Sequence, residues 1–244
     1  MPVPPLEPAQ AFADESPSAD RALAVVALVA LVSALALVPV GWALAHSFAP
    51  GTTVENPDRP PERLCENREP MTVDGRTVDF STPEGCSESA RVSVRSVVWR
   101  VVGQQAVVQF LSTLVSWGLV AGAVYALARA EVDGRDAIVV TGWGTVPWAA
   151  GAVVTAGLLV LTLGTVDTAA AGSVRAVVDA FTAGVRASRP VALAVQAGVA
   201  AWTGWIHYHG LRVRTALSGR RSFELAAVVN ASAYLLVAAS TLVG

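Results

Sequence analysis

The chain contains no lysine, only two cysteines and three histidines, and few charged residues of either sign. All 17 basic residues are arginines, and 19 acidic residues bring the net charge to −2 at neutral pH. A chain this close to neutrality offers no electrostatic reason to expect nucleic acid as a partner. Only 15% of the 244 residues are charged while 53% are hydrophobic, which is typical of multi-span membrane proteins.

Five long stretches carry no Asp, Glu or Arg. A hydrocarbon core of about 30 Å needs about 20 helical residues, so each stretch is long enough to cross a bilayer. Backbone amides cannot stay unpaired in lipid, so we predict helices here and an all-α transmembrane helix bundle with five spans. The stretches are residues 22–45, 101–128, 137–166, 190–211 and 225–244.

The N-terminal tail, residues 1–20, is rich in proline, alanine and acidic residues, and we predict that it is disordered. The apolar run after it is too long for the core of a cleaved signal peptide, and only Arg21 supplies a basic residue before it. The Ala-Leu-Ala at 43–45 resembles a cleavage site but follows a full-length span. We therefore interpret the first run as a membrane anchor.

Both cysteines, Cys65 and Cys86, lie in the polar segment between the first two spans. An isolated pair in one segment outside the membrane predicts a disulfide, which persists on an oxidising, non-cytoplasmic face. Zinc is the competing use, but two cysteines without a nearby histidine fall short of four ligands. Between them, "MTVDGRTVDF" predicts a β-hairpin with Asp74-Gly75 at its turn.

The arginines give conflicting indications of orientation. With the N-terminus inside, seven would lie in the cytoplasm and ten outside, so a raw count favours the opposite topology. Four of the seven are crowded into the short link 212–221, however, and long loops weigh less in the positive-inside rule. Together with the disulfide, this density predicts a cytoplasmic-membrane protein with the N-terminus inside and the C-terminus outside.

Between the third and fourth spans, Val174, Val177, Val178, Phe181 and Val185 recur at helical spacing. We predict an amphipathic interfacial helix there that caps the bundle or binds lipid, and a new helix starting at Pro190. The predicted segments are a disordered tail at 1–20, spans at 21–45, 98–128, 137–166, 190–211 and 223–244, an extracytoplasmic loop at 46–97 and an interfacial helix at 172–189.

The second span carries polar residues along one side and a Gly-x-x-x-Gly motif. Small residues let helix backbones approach closely and amides hydrogen-bond across the contact, so we favour a helix-packing stripe over a polar permeation path. Pro147 predicts a kink in the third span. The residues of the packing stripe are Gln105, Gln109, Ser112, Ser116, Gly118 and Gly122.

The stretch "WIHYHGLRVRTALSGRR" at 205–221 raises the question of a metal site. His207 and His209 are two apart, so on a helix they point about 200° from each other and one ion could not easily use both. We interpret Trp202, Trp205 and Tyr208 as an aromatic belt at the end of the fourth span and the arginines as its positive flank.

The same stretch resembles the Yip1 family of five-span membrane proteins. "YHGLRVRTALSGRRSFELAAVV" at 208–229 is similar to the link between the last two helices of that family. "DGRDAIVVTGWGTVPWAAGAVV" at 133–154 resembles the entry into its third span. The resemblance covers residue 100 to the end. The matching link positions are Gly210, Leu211, Arg212, Leu217, Ser218 and Arg221.

The resemblance implies a protein of membrane traffic, since eukaryotic relatives associate with prenylated GTPases through an acidic N-terminal region. The tail of this chain is short and lacks such a motif, and the cysteine-bearing loop departs from the family, so we do not carry GTPase binding over. We expect a non-enzymatic protein that organises or shapes the membrane or scaffolds partners. The alternative is a small transporter or channel subunit with a polar path along the second span.

No catalytic set, metal cluster or phosphate loop is recognisable in the sequence, and no cofactor is expected. The predicted partner is the lipid bilayer. Other membrane proteins or a second copy of the chain are the further alternatives.

Overall fold

A computed structural model describes residues 6–14, 17–65, 71–73, 76–78, 85–165 and 174–243. The described chain is dominated by long apolar helices. Four short strands lie within residues 53–93. The helices are α1 Pro8–Asp14, α2 Ala19–Leu35, α3 Leu37–His46, α4 Glu62–Cys65, α5 Val94–Leu127, α6 Gly134–Trp143, α7 Val146–Gly164, α8 Val174–Arg214 and α9 Gly219–Val243.

Hydroxyl and carboxylate side chains begin the longer helices. Ser18, Ser93, Asp133 and Ser218 precede α2, α5, α6 and α9, and each accepts a hydrogen bond from the backbone N–H three residues later. Such caps satisfy donors that a first helical turn leaves free. The polar segments between the apolar runs therefore carry the start signals of the helices.

Three helical segments are long and apolar enough to cross a membrane: Ala19–His46, Val94–Leu127 and Gly134–Gly164. They correspond to the first three predicted spans. The other two predicted spans lie in α8 and α9, so the five-span arrangement remains a proposal. Large apolar side chains face outward along the bundle, among them Leu28, Val107, Leu161 and Leu235, each at least 59% exposed.

Two of the candidate spans are interrupted near a proline. The first is divided at Ala36, three residues before Pro39, whose ring nitrogen cannot donate to the carbonyl four residues earlier. The third is divided at Gly144 and Thr145, and Pro147 lies in the first turn of α7. This break lies just before Pro147, near the predicted kink, whereas the sequence analysis missed the break at Ala36.

The predicted helix start at Pro190 is wrong, because α8 runs without interruption from Val174 to Arg214 with Pro190 inside it. Both sides of the proline are packed on α7. A Cβ at Gly184 would lie 2.5 Å from Thr162, and one at Gly151 would lie 2.7 Å from Val199. This packing holds the chain helical despite the hydrogen bond lost at the proline. The segments 172–189 and 190–211 are therefore one helix where the structure describes them.

The apolar side of the predicted amphipathic pattern at the start of α8 is buried only in part, since Val178 is 49% exposed. Val177 is buried, whereas Arg175, Asp179, Thr182 and Arg186 are exposed. The N-terminal part of this helix packs beside the loop cluster formed by Ala45, Val94 and Val98.

The predicted disorder of residues 1–20 is also wrong for the described part of the tail. Residues Pro8–Asp14 form α1, and Ala11 and Phe12 are only 1% and 3% exposed. Phe12 packs in a cluster with Ala22, Val139 and Ile206. Burial of these apolar side chains docks α1 against the bundle, which the composition of the tail did not indicate.

The described residues between α3 and α5 form a small module at one end of the bundle, which we name the loop end. Strand β1, Thr53–Glu55, pairs antiparallel with β4, Arg91–Ser93, and closes the base of the module. Strand β2, Met71–Val73, pairs with β3, Arg76–Val78, which confirms the predicted hairpin. Its turn, Asp74-Gly75, lies outside the described residues. The predicted disulfide is also confirmed: Cys65 and Cys86 are bonded, with their Cα atoms 5.3 Å apart.

Five helices close a ring. Helix α2 contacts α5 and α7, α7 contacts α8, α8 contacts α9, and α9 contacts α5. At the opposite end from the loop module, which we name the link end, an apolar cluster fills the ring. Its buried members are Val124, Ala128, Val132, Ala137, Val140, Leu211, Leu217, Leu225 and Val229.

Candidate functional site

Above the link-end cluster, the ring of helices borders a half-open cavity of about 490 Å³. Its walls come from α2, α5, α7, α8 and α9, and most of the lining is apolar, including Trp148, Val195 and Val199. A volume of this size lies within the range of ligand-binding pockets. The cavity is the candidate functional site.

Polar side chains from several helices converge on this cavity. Gln109, Ser112 and Ser116 line it, so α5 brings half of the six residues of the predicted stripe to the cavity, where the two serines remain exposed. The Ser112 and Thr113 hydroxyls both donate to the backbone carbonyl of Gln109, at 3.1 and 2.8 Å. The hydrogen-bonding capacity of these hydroxyls is therefore used within their own helix. The side-chain amide of Gln109 faces the cavity.

A second amide faces the cavity from α8. The Oε1 atom of Gln196 is buried and accepts no hydrogen bond within the described part of the chain. A buried acceptor without a partner costs roughly 1 to 3 kcal/mol, so such an atom calls for a ligand. Gln109 and Gln196 thus give the cavity two uncharged groups that can both donate and accept.

Asn230 of α9 lies at the border of the cavity and connects it to a buried histidine. Its Nδ2 donates to the Ala226 carbonyl at 2.7 Å and stands 3.0 Å from Nδ1 of His207. His207 is 1% exposed, and its Nε2 faces α6, where a Cβ at Gly144 would lie 2.1 Å away. The residue at 144 must therefore be glycine for this ring to fit between the helices.

From the exposure of two lining residues we infer that the cavity opens toward the outside of the bundle beside α5 and α9. Leu119 and Leu236 both line it and are still 70% and 74% exposed. Both lie well inside their helices, so this opening is on the side of the ring. On the opposite wall α7 lies directly against α8, since a Cβ added to Gly151 would lie only 2.7 Å from Val199.

The glycines of the predicted packing stripe lie elsewhere. Gly118 and Gly122 are exposed, and no atom of the described chain lies within 4 Å of a Cβ added to either. They share an outward face of α5 with Leu111 and Val115. Gln105 is exposed and does not line the cavity. The proposed helix packing through these glycines therefore needs a helix from outside this chain.

The link between α8 and α9 is the part that resembles the Yip1 family, and its residues have identifiable structural tasks. A Cβ at Gly210 would lie 2.9 Å from Val140 and 3.1 Å from Phe12, so glycine permits the close approach of α1, α6 and α8. Leu211 and Leu217 are buried in the link-end cluster. Ser218 caps α9, Arg212 donates to the Tyr208 hydroxyl, and Arg221 pairs with Glu224.

An ion pair that the sequence analysis missed lies beside this link. Arg214 Nη2 lies 2.7 Å from Oδ1 of Asp136, and the two side chains are only 14% and 19% exposed. The pair joins the last residue of α8 to the first turn of α6, where each charge also complements its helix dipole.

The histidines are placed as the helical spacing predicts. His207 points into the bundle, whereas His209 packs at the surface between Trp205 and Tyr208, with ring centroids 5.6 and 4.8 Å away. What the sequence analysis missed is that His207, Asn230 and Gln196 point inward. Each is a polar residue inside a stretch without charged residues, and this is the sequence feature that could have indicated an inward position.

The fold and the cavity together define a helical membrane protein with an internal site that opens to the side. The chain belongs to the Yip1 family: a family model described as Yip1 domain matches residues 5–241. The match extends the resemblance seen in the link over nearly the whole chain, including the cysteine-bearing loop. No curated protein and no solved structure matches the chain.

Proposed function

We propose that this protein is a non-enzymatic integral membrane protein that organises its membrane by holding a membrane component in the cavity between the helices. The observation that carries the proposal is that Leu119 and Leu236 both line the cavity and are also exposed on the outside of the bundle, which supports an opening on the side of the ring. An entrance with apolar edges, set within the lengths of two apolar helices, gives access from the hydrocarbon layer instead of from water.

A transporter is the second candidate, because Gln109, Ser112 and Ser116 bring the predicted polar path to the cavity wall. Conduction requires a path through both ends of the ring. At the link end, the apolar cluster that includes Val124, Leu211 and Leu225 occupies the same ring of helices. This arrangement supports a binding site that is closed at the link end, and it does not support a path that is open at both ends.

The proposal includes the orientation predicted from the sequence. The cysteine-bonded loop module would lie outside the cytoplasmic membrane, and the link end, with its arginines, would lie inside. The disulfide between Cys65 and Cys86 supports this placement, because such bonds persist in oxidising compartments.

The experiment is to fill the cavity and ask whether a membrane component is lost. Ala233 lines the cavity on α9, and Ala233→Trp would place an indole inside it. Val228→Trp is the matched control, since Val228 is 57% exposed on the same helix and does not line the cavity. Native mass spectrometry of protein released from membranes should find a bound component in the wild type and the control but not in Ala233→Trp. Equal occupancy in all three would contradict the proposal.

A further inference from the structure

We infer that the component held in the cavity is an uncharged amphiphile, a lipid whose head group presents hydroxyl or ester groups to the amides of Gln109 and Gln196. This inference rests on the proposed function and names the chemical class of its ligand. Three features of the described lining carry it: the absence of charge, the two amides and the apolar remainder.

Charge is the first feature. The described residues that line the cavity include no Asp, Glu, Arg or His. A phosphate or carboxylate drawn into this space would lose its hydration and meet no cation. Burying an unpaired ion costs far more than burying a hydrogen-bonded neutral group. The lining therefore selects against phospholipid head groups and free fatty acids.

The amides are the second feature. The Gln196 Oε1 atom is buried without a donor within the described part of the chain, and the half-buried Gln109 side chain lines the same cavity. A hydroxyl can donate to such an oxygen, and an ester carbonyl can accept from an amide N–H. A head group with both kinds of atom would satisfy both glutamines at once, which a hydrocarbon chain alone could not do.

The apolar remainder is the third feature. Trp148, Val120, Val199 and Leu236 supply most of the surface around the two amides. The opening beside Leu119 and Leu236 lets the rest of a long molecule remain in the bilayer while its head lies inside. A lipid meets both requirements, because its chains need no enclosure by protein.

The experiment compares two lipids with the same acyl chain, one of which carries a charged phosphate group on its glycerol head. The full-length wild-type protein in detergent micelles is titrated with 1-oleoylglycerol and with 1-oleoylglycerol 3-phosphate, and bound lipid is counted by native mass spectrometry. We expect the neutral lipid to bind at least about tenfold more tightly. Equal binding of the phosphorylated lipid would overturn the inference.

Three variants locate the site. Gln109→Leu and Gln196→Leu keep the side-chain volume and remove the amide, so each should weaken 1-oleoylglycerol binding by about fivefold. Gln105→Leu is the matched control on α5, since Gln105 is exposed and does not line the cavity, and it should bind as the wild type does. Unchanged binding by both cavity variants would overturn the inference.

The inference can fail while the proposed function stands. A component displaced by Ala233→Trp that proves to be a charged lipid or a protein helix would overturn the neutral-lipid assignment alone. If Ala233→Trp displaces nothing, the proposed function fails as well.

Discussion

Asn230 of α9 and His207 of α8 meet inside the bundle, with Asn230 Nδ2 only 3.0 Å from His207 Nδ1. On its other side the His207 ring lies against Gly144, at the break between α6 and α7. Three helical segments thus meet around one imidazole, next to the cavity that Asn230 borders. The break in the third candidate span therefore lies where the His207 ring packs.

This relationship predicts that Gly144→Ala is destabilising. Its Cβ would lie 2.1 Å from His207 Nε2, so the ring or α6 must shift, at a cost of about 1 to 3 kcal/mol. Thermal unfolding of the purified protein should show a lower Tm. Gly157→Ala is the control, because no described atom lies within 4 Å of a Cβ there. Adding His207→Ala to Gly144→Ala should relieve the clash, and equal Tm values for Gly144→Ala and the wild type would refute this packing.

The sequence predicted the helices, the hairpin and the disulfide because each depends on local signals. Apolar length specifies the helices, Asp74-Gly75 specifies the turn, and two isolated cysteines in one polar loop specify the bond. The docked helix α1 was missed because its stability depends on distant residues, and composition reports none of them. The continuity of α8 through Pro190 was missed for the same reason, since its packing against α7 lies outside the local sequence.

The candidate site was only half predicted. The polar stripe on α5 was visible because four polar residues recur at helical spacing, but their direction depends on where α7, α8 and α9 lie. A single Gln196 or Asn230 in an apolar run has no periodicity of its own. Only the fold shows that the stripe and these isolated residues share one cavity.

Removing the buried aromatic of α1 should release the N-terminal segment. Phe12 is 3% exposed, and replacing a buried phenylalanine by alanine costs about 3 to 5 kcal/mol. Phe12→Ala should therefore accelerate amide hydrogen exchange across residues 8–14, while Leu6→Ala, at a side chain 66% exposed, should leave it unchanged. Fast exchange across this segment in the wild type itself would show that α1 is not docked.

Cysteine accessibility in intact cells tests the orientation. A membrane-impermeant thiol reagent should label Cys65 and Cys86 only after treatment with an impermeant reductant, because the two are bonded and would face outward. Labelling that appears only after the membrane is permeabilised would place the loop module in the cytoplasm and reverse the topology.

The outward face of α5 predicts association with another helix. Gly118 and Gly122 have no described neighbour within 4 Å, and Gly-x-x-x-Gly faces are common at helix contacts in membranes. Gly122→Leu should lower the self-association measured by energy transfer between labelled copies in vesicles. Gly103→Leu, on the same helix and equally unobstructed, is the control. Energy transfer that is identical in the two variants would show that this face does not pair copies of the chain.

The central claim is that a membrane component enters the cavity between α5 and α9, and photo-crosslinking from the two adjacent leucines tests it most directly. Leu236 lines the cavity, whereas Leu235 is 64% exposed and does not. A benzophenone side chain at 236 should capture a component in native membranes, and Ala233→Trp should abolish that product while leaving capture from 235 unchanged. Capture from 236 that persists in the filled cavity would contradict the account.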